Sequence, residues 1–337
     1  MPSHRAVQVK SAGASLELAD VETTSPDRGE VRISVKACGI CGTDARFVAG
    51  DFPGLSWPLT PGHEIAGTIA ETGPGVEGFE VGDRVAVGWF GGNCNHCAQC
   101  RKGQFIHCLN GKVPSWHYPG GYAESATVPV TALARIPSEL SDAEAAPMGC
   151  AGVTTYNALR HTKALPGDRV AVLGVGGLGH LGIQFARAMG FETIAINRGT
   201  AKKADALELG AHHYIDATDG DVADSLNDLG GVAVVLGTAG ASNAMAATVG
   251  GLQPLGELIT IGVTPEPLPI SPLQLITPGL SIIGHPSGTA SEVEDTMRFA
   301  VQTGVRAWIE ELPLSKAAEG YAALEQGRAH YRTVLTV

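Results

Sequence analysis

The rhythm of hydrophobic and polar positions changes near residue 150. Before it, short runs broken by Gly and Pro read as strands: residues 31–37 (VRISVKA), 65–70 (IAGTIA), 84–87 (RVAV) and 122–128 (YAESATV). They predict a mostly antiparallel β region with irregular loops. After it, apolar runs alternate with helical spacing. Residues 169–173 (RVAVL) predict a buried strand, and Leu178, Leu181, Phe185 and Met189 share one face of the helix that follows. Residues 193–196 predict the next strand and 201–209 a helical stretch. Further strands are expected at 214–216, 232–236 and 258–262. Strands alternating with helices imply a parallel, doubly wound sheet. From about Pro286 the helical pattern returns, and the chain ends in a β-like run at 333–337. No internal repeat or low-complexity stretch interrupts this order.

Length and composition sharpen the picture in four ways. A chain of 337 residues suits two domains. Its 45 glycines, about twice the usual share and without collagen periodicity, point to tight turns and at least one glycine-rich loop. A net charge of −11 opposes a nucleic-acid partner and fits a small-molecule ligand. The start, MPSHRAVQVK, lacks an apolar leader and no apolar run approaches membrane-spanning length, so the expectation is a cytoplasmic protein with no membrane partner. In that setting seven cysteines suggest metal or catalysis before disulfides.

Four of these cysteines, Cys94, Cys97, Cys100 and Cys108, stand in C-x2-C-x2-C-x7-C spacing. Four thiolates within fifteen residues can close a tetrahedral zinc site, which would hold a loop and leave no position open for chemistry. Spacing alone also admits an iron–sulfur cluster, for which the chain shows no other context. Three cysteines remain. Cys41 lies in GICGTD and Cys150 in MGCAG; His63 lies in PGHE, followed by Glu64. Two Cys and one His make a catalytic zinc set with an open fourth position. Each also has a plain reading as a core residue, and Cys38 with Cys41 forms a C-x-x-C pair that would suit a redox dithiol.

Gly174-Val175-Gly176-Gly177-Leu178-Gly179 directly follows strand RVAVL and opens a helix, the context a dinucleotide pyrophosphate loop requires. The next strand ends at Asn197-Arg198-Gly199, where a cofactor without a 2′-phosphate usually meets an acidic residue. Arg198 can pair with a 2′-phosphate, so NADP(H) is expected in preference to NAD(H).

Taken together, GICGTD, PGHE, the four-cysteine stretch, MGCAG and GVGGLG resemble, in kind and order, the zinc-dependent medium-chain alcohol dehydrogenases, and the resemblance spans essentially the whole chain. It implies an α/β architecture: a GroES-like β-rich catalytic domain at 1–153 and 286–337, a Rossmann doubly wound domain at 154–285, and an active site in the cleft between them. It implies two zinc ions per chain. Cys41, His63 and Cys150 match the catalytic zinc ligands, and Glu64 the acidic neighbour that approaches the zinc or replaces its water. Asp44 matches the carboxylate that orients the histidine, and Thr43 the hydroxyl that relays the substrate proton while zinc polarises the substrate oxygen. Phe52 and Trp89 match pocket walls, Arg332 an arginine on the cofactor pyrophosphate, and Thr238 and Val263 positions near the ribose and nicotinamide. One position departs from the family: Arg46 stands where many members end a proton relay with histidine. The implied activity is hydride transfer between NADP(H) or NAD(H) and an alcohol, aldehyde or ketone, in a homo-oligomer (tetramer or dimer). The rival readings are an NADPH-dependent reductase of conjugated C=C or C=N bonds and a zinc-stabilised binding protein without activity.

Overall fold

A computed structural model describes residues 2–337. Unit 1 begins with the antiparallel pair β1 (Ser3–Gln8) and β2 (Glu17–Glu22), then runs through β3 (Glu30–Ile40), β4 (Ile65–Thr72), β5 (Arg84–Val87), β6 (Ser125–Pro129) and β7 (Ala134–Arg135). Unit 2 carries β8 (Arg169–Leu173), β9 (Glu192–Asn197), β10 (His213–Asp216), β11 (Val232–Gly237), β12 (Leu252–Thr260) and β13 (Ser281–Gly284). The chain then returns to unit 1 with helices Ala290–Thr303 and Ala317–Glu325 and strands β14 (Ile309–Pro313) and β15 (Arg332–Thr336). The division falls between Val153 and Thr154 and again at Pro286 and Ser287, with residues 303–305 counted in unit 2.

In unit 1, β14, β15, β3, β4, β5 and β7 lie side by side in that order, with β6 also on β3. All pairs are antiparallel except β14 with β15. Strand β3 alternates over its first half: Val31, Ile33 and Val35 point into the core while Arg32, Ser34 and Lys36 face outward. From Ala37 to Ile40 every residue is buried, because here the strand runs into the interior between β4 and β15. Val31, Ile33, Ile65, Ile69, Val85, Val128 and Leu335 meet in one apolar cluster, the main stabilising mass of this unit.

In unit 2 the six strands are all parallel, in the order β10-β9-β8-β11-β12-β13. Counted within the unit this is 3-2-1-4-5-6, the Rossmann arrangement, whose order reverses between β8 and β11. After Arg169 at the start of β8, both central strands are apolar, as a sheet covered on two faces demands.

Some expectations needed adjustment. The run at 122–128 becomes a strand only from Ser125; Tyr122 points inward as a fully buried side chain. The helix expected at 201–209 spans Lys203–Glu208, and the strand expected at 258–262 is the end of the longer β12. Strands β2, β7, β13 and β14 carry no run assigned from the sequence. Each is short, and no residue of β2, β13 or β14 is buried, so pairing rather than pattern defines them.

Candidate functional site

Cys41 ends the buried reach of β3 and stands as N-cap of helix Gly42–Ala49, in extended backbone. Asp44, in the first turn of that helix, accepts a hydrogen bond from the Cys41 backbone N–H at 2.9 Å. Its other carboxylate oxygen accepts from His63 Nδ1 at 2.9 Å. Tyr122 donates its hydroxyl to Asp44 at 2.9 Å as well. Asp44, His63, Glu64 and Tyr122 are all fully buried. With Nδ1–H donated to a carboxylate, the neutral His63 ring offers its lone pair at Nε2, and Nε2 has no partner.

Cys150 arrives from elsewhere in unit 1, between the turn Ala146–Gly149 and helix Ala151–Arg160. Two glycines make this approach possible. A Cβ on Gly88, just after β5, would sit 1.7 Å from the Gly149 carbonyl oxygen, so the backbone before Trp89 and the backbone before Cys150 touch only because position 88 lacks a side chain. Gly39 is equally constrained, since its Cβ would fall 2.0 Å from Glu64 Oε2. One donor atom from each of Cys41, His63, Glu64 and Cys150 lies within 4.8 Å of the others.

The electrostatics follow from this crowding. The two thiols face each other within the site, and their mutual interaction leads in holding the Cys41 thiol well below its ordinary value and that of Cys150 well above. Burial alone would lower the His63 imidazole, but Asp44 and Cys41 outweigh it and hold it well above its ordinary value. Burial pushes Glu64 up to about 7, against the pull of Arg332. Arg332 bonds Glu64 Oε2 in a buried ion pair, leaving Glu64 Oε1 without a partner. Sulfur, nitrogen and sulfur donors, an orphaned buried imidazole nitrogen and a carboxylate beside them fit a zinc ion with three ligands and one exchangeable position. Cys38, the leftover cysteine, is buried in the apolar cluster, with burial pushing its thiol well up, an inert setting for a redox dithiol.

The aromatic positions gather at one side of His63. Trp89 lies edge-on to the imidazole, ring centroids 5.6 Å apart, and Phe52 lies 4.5 Å from Phe47. Trp116 extends this wall, 4.7 Å from Phe52, and Phe47 sits behind it. Neither was singled out in the sequence; the spacing of four aromatics over seventy residues carries no local signal. Arg46 lies over the Phe52 ring at 5.3 Å and pairs with Asp51 at 3.3 Å. Thr43 is partly exposed in the first helical turn beside Asp44.

Around the second cysteine set, sulfur separations of 3.6 Å (Cys108 to Cys94) and 3.8 Å (Cys97 to Cys108) match the edge of a zinc tetrahedron, about 3.8 Å for bonds of about 2.3 Å. Backbone N–H groups of Cys94, Cys97, Cys100 and Leu109 point at these sulfurs, and Asn110 and Asn93 add side-chain amides. These donors favour thiolate. The Asn110 amide leads in bringing Cys94 down to about 5, while burial pushes Cys108 up to about 11.

In unit 2, Gly174 has φ +97 and opens the turn after β8, and a Cβ on Gly179 would strike the Gly174 carbonyl at 1.8 Å. Gly176 has open space where a Cβ would stand, which is what a pyrophosphate approaching the backbone needs. Asn197 accepts from the Val175 N–H at 3.4 Å, tying the end of β9 to the glycine loop, and Arg198 is exposed next to it. Asp216 holds the same turn by accepting from the Gly199 N–H at 2.7 Å. Leu178 precedes the helix Gly179–Ala188, and Gly177 lies in the same loop. Thr238 uses its hydroxyl on the Leu173 and Gly174 carbonyls, so it braces the loop; Val263 is exposed. Arg332, matched by resemblance to a pyrophosphate ligand, pairs with Glu64 and is only 4% exposed.

Among the described residues no helix is long and apolar enough to cross a membrane. The family description "Alcohol dehydrogenase GroES-like domain" matches residues 27–138 and "Zinc-binding dehydrogenase" matches 177–302. An alcohol dehydrogenase of Penicillium expansum is 39% identical over 328 residues, 97% of this chain and 96% of the relative. The crystal structure of the alcohol dehydrogenase of Aeropyrum pernix superposes with a TM-score of 0.90 at 30% identity, covering 99% and 100% of the two chains. That of CAD from Helicobacter pylori, complexed with NADP(H), gives 0.87 at 26% identity, covering 99% and 98%. With both halves matched and the likeness running end to end, this chain belongs to the zinc-dependent medium-chain alcohol dehydrogenase family and is an oxidoreductase of alcohols and aldehydes.

Proposed function

We propose that this enzyme interconverts aldehydes or ketones and their alcohols with NADP(H), preferred over NAD(H), at a centre built from Cys41, His63 and Cys150, with a second zinc held by Cys94, Cys97, Cys100 and Cys108. The observation that carries the reading is the orphaned, fully buried Nε2 of His63, fixed by Asp44 and flanked by two thiols and a carboxylate. Zinc bound there supplies Lewis-acid polarisation of the substrate oxygen. Asp44 keeps the proton of His63 on Nδ1 and its ring in one orientation. The Thr43 hydroxyl passes the proton to or from the substrate oxygen. Phe52 and Trp89, extended by Trp116, offer an apolar wall that suits a hydrophobic substrate and keeps water out.

Gly174, Gly176, Gly177, Leu178 and Gly179 would carry the pyrophosphate, and Asn197 and Arg198 the 2′-phosphate. An exposed guanidinium with no acid at the end of β9 supports this choice, as does the NADP(H) bound by the similar Helicobacter enzyme. A homo-oligomer is supported by apolar side chains left exposed in unit 2, Leu255, Leu273 and Ile276 among them. A reducing, cytoplasmic setting is supported by seven cysteines without a disulfide.

The test is nicotinamide absorbance with an aldehyde panel, in NADPH and NADH, before and after zinc chelation. The expected result is faster oxidation of NADPH, lost on chelation. Turnover with NADH alone overturns the cofactor assignment. Failure with every aldehyde in zinc-replete protein, alongside reduction of a conjugated C=C or C=N substrate, overturns the carbonyl reading.

A further inference from the structure

Tyr122 is a buried phenol that the proposed chemistry does not use. Its ring and hydroxyl join the two sequence segments that bring Cys41 and His63 together. The residues 120–122 are laced to the residues before His63: Gly120 N–H to the Thr60 carbonyl, Gly121 N–H to Gly62 and Tyr122 N–H to Pro61, at 2.8, 2.8 and 2.9 Å. The tyrosine ring lies so close under Gly62 that a Cβ there would stand 2.4 Å from it, and Gly62 adopts φ +104. The hydroxyl then reaches across to Asp44, whose carboxylate accepts three donors: His63 Nδ1, the Cys41 backbone N–H and the Tyr122 hydroxyl. Asp44 is completely buried, so no water replaces a missing donor.

We infer that Tyr122 is a positioning residue for the dispersed zinc centre: its hydroxyl fixes the Asp44 carboxylate, which in turn fixes the His63 ring and the backbone of Cys41. A carboxylate with one oxygen held only by a backbone N–H can rotate, and the imidazole follows it. Outer-shell partners of this kind change metal affinity by about 10–100-fold where they touch the ligand directly. One step further out, Tyr122→Phe, which keeps the ring and removes only the hydroxyl, is expected to weaken zinc at this centre by about tenfold.

This inference rests on the assignment of zinc to Cys41, His63 and Cys150, and the experiment separates the two. Zinc release from the full-length, zinc-replete protein is followed with a chromogenic chelator in wild type, Tyr122→Phe, Asp44→Asn and the double variant, with Cys150→Ser to identify which phase belongs to the dispersed centre. The expected result is a phase lost in Cys150→Ser, about tenfold faster in Tyr122→Phe, with the four-cysteine phase unchanged. In the Asp44→Asn background the effect of Tyr122→Phe disappears, because the tyrosine acts through that carboxylate. Full additivity of the two substitutions, an unchanged phase in Tyr122→Phe, or equal acceleration of both phases overturns the role of Tyr122 while leaving the zinc assignment standing. A wild-type protein holding one zinc, unaffected by Cys150→Ser, overturns the assignment and the inference together.

Discussion

The two cysteine-rich centres of unit 1 are built on opposite plans. Cys94, Cys97, Cys100 and Cys108 occupy fifteen consecutive residues, and their sulfurs are surrounded by N–H donors from the same short loop. Cys41, His63 and Cys150 span 110 residues of chain and are flanked by Tyr122, Glu64 and the still more distant Arg332. The first set offers four equal thiols and is partly exposed; the second offers two thiols and an imidazole beside a carboxylate, with full burial around His63. A local loop can form its site as soon as metal arrives, so binding and folding of that loop are one event. The dispersed centre requires the sheet to be assembled first, and its unequal ligand set leaves room for a reacting oxygen. On the proposed reading, chemistry and structural support fall to different metals according to how far apart in the chain the ligands lie.

Breaking the comparison on its catalytic side gives the largest effect. Cys150→Ser is expected to reduce kcat/KM for aldehyde reduction by about 10³-fold, the several kcal/mol that Lewis-acid assistance provides, with the circular dichroism spectrum unchanged. Residual activity within tenfold of wild type would remove Cys150 from the centre. On the structural side, Cys97→Ser is expected to release one zinc, lower the melting midpoint by roughly 5–10 °C and open the 94–108 loop to protease, while the zinc of the dispersed centre stays. Loss of both zincs at once would show that the two centres are not independent.

In unit 2, Asn197→Asp with Arg198→Gly is expected to lower the NADPH/NADH ratio of kcat/KM by about 10–100-fold, as removal of a charge-assisted hydrogen bond and insertion of a repelling acid imply. An unchanged ratio would assign selectivity elsewhere. The smallest effect concerns the turn beneath that pair. The side-chain hydroxyl of Thr218, then its N–H and that of Gly199, hold the Asp216 carboxyl below its ordinary 3.8. A depressed carboxyl stabilises the fold above its unfolded value and loses that contribution as pH falls through the folded one. Asp216→Asn is therefore expected to lower stability slightly at pH 7 and by less once pH falls below 3.8, read by urea denaturation at one pH value on each side. A difference of equal size at both would rule out the charge as the cause.

Much of this was legible before any coordinates. Strands β5 and β8 fall where a run of apolar and β-branched residues ends at Gly88, which passes against the Gly149 backbone, and at Gly174, where the backbone turns with φ +97. The glycine loop was legible for the same reason: strand, glycines and helix are contiguous. The four-cysteine set needed only spacing. What was missed depended on residues far apart in sequence. Trp116 and Phe47 join Phe52 and Trp89 only through tertiary packing. Tyr122 read as a strand residue because its neighbours are apolar and small, yet its hydroxyl lies on a carboxylate 78 residues earlier. Arg332 carried a role at the cofactor by resemblance, and its buried partner Glu64 lies 268 residues away.

The sequence by itself determined the two architectures, the closed cysteine site and the dinucleotide loop, since each is encoded in periodicity or spacing within a few tens of residues. Only the tertiary structure decided that Cys41, His63, Glu64 and Cys150 meet, which nitrogen of His63 is left to bind, and which tyrosine and arginine fix the carboxylates around it. Those outcomes depend on the register of β3 against β4 and β15, on Gly88, which lets two backbones touch, and on Gly39, which leaves room for the Glu64 carboxylate. Neither a strand register across hundreds of residues nor a close backbone approach leaves a local trace in the order of side chains, so the convergence of the site is a property of the packed sheet.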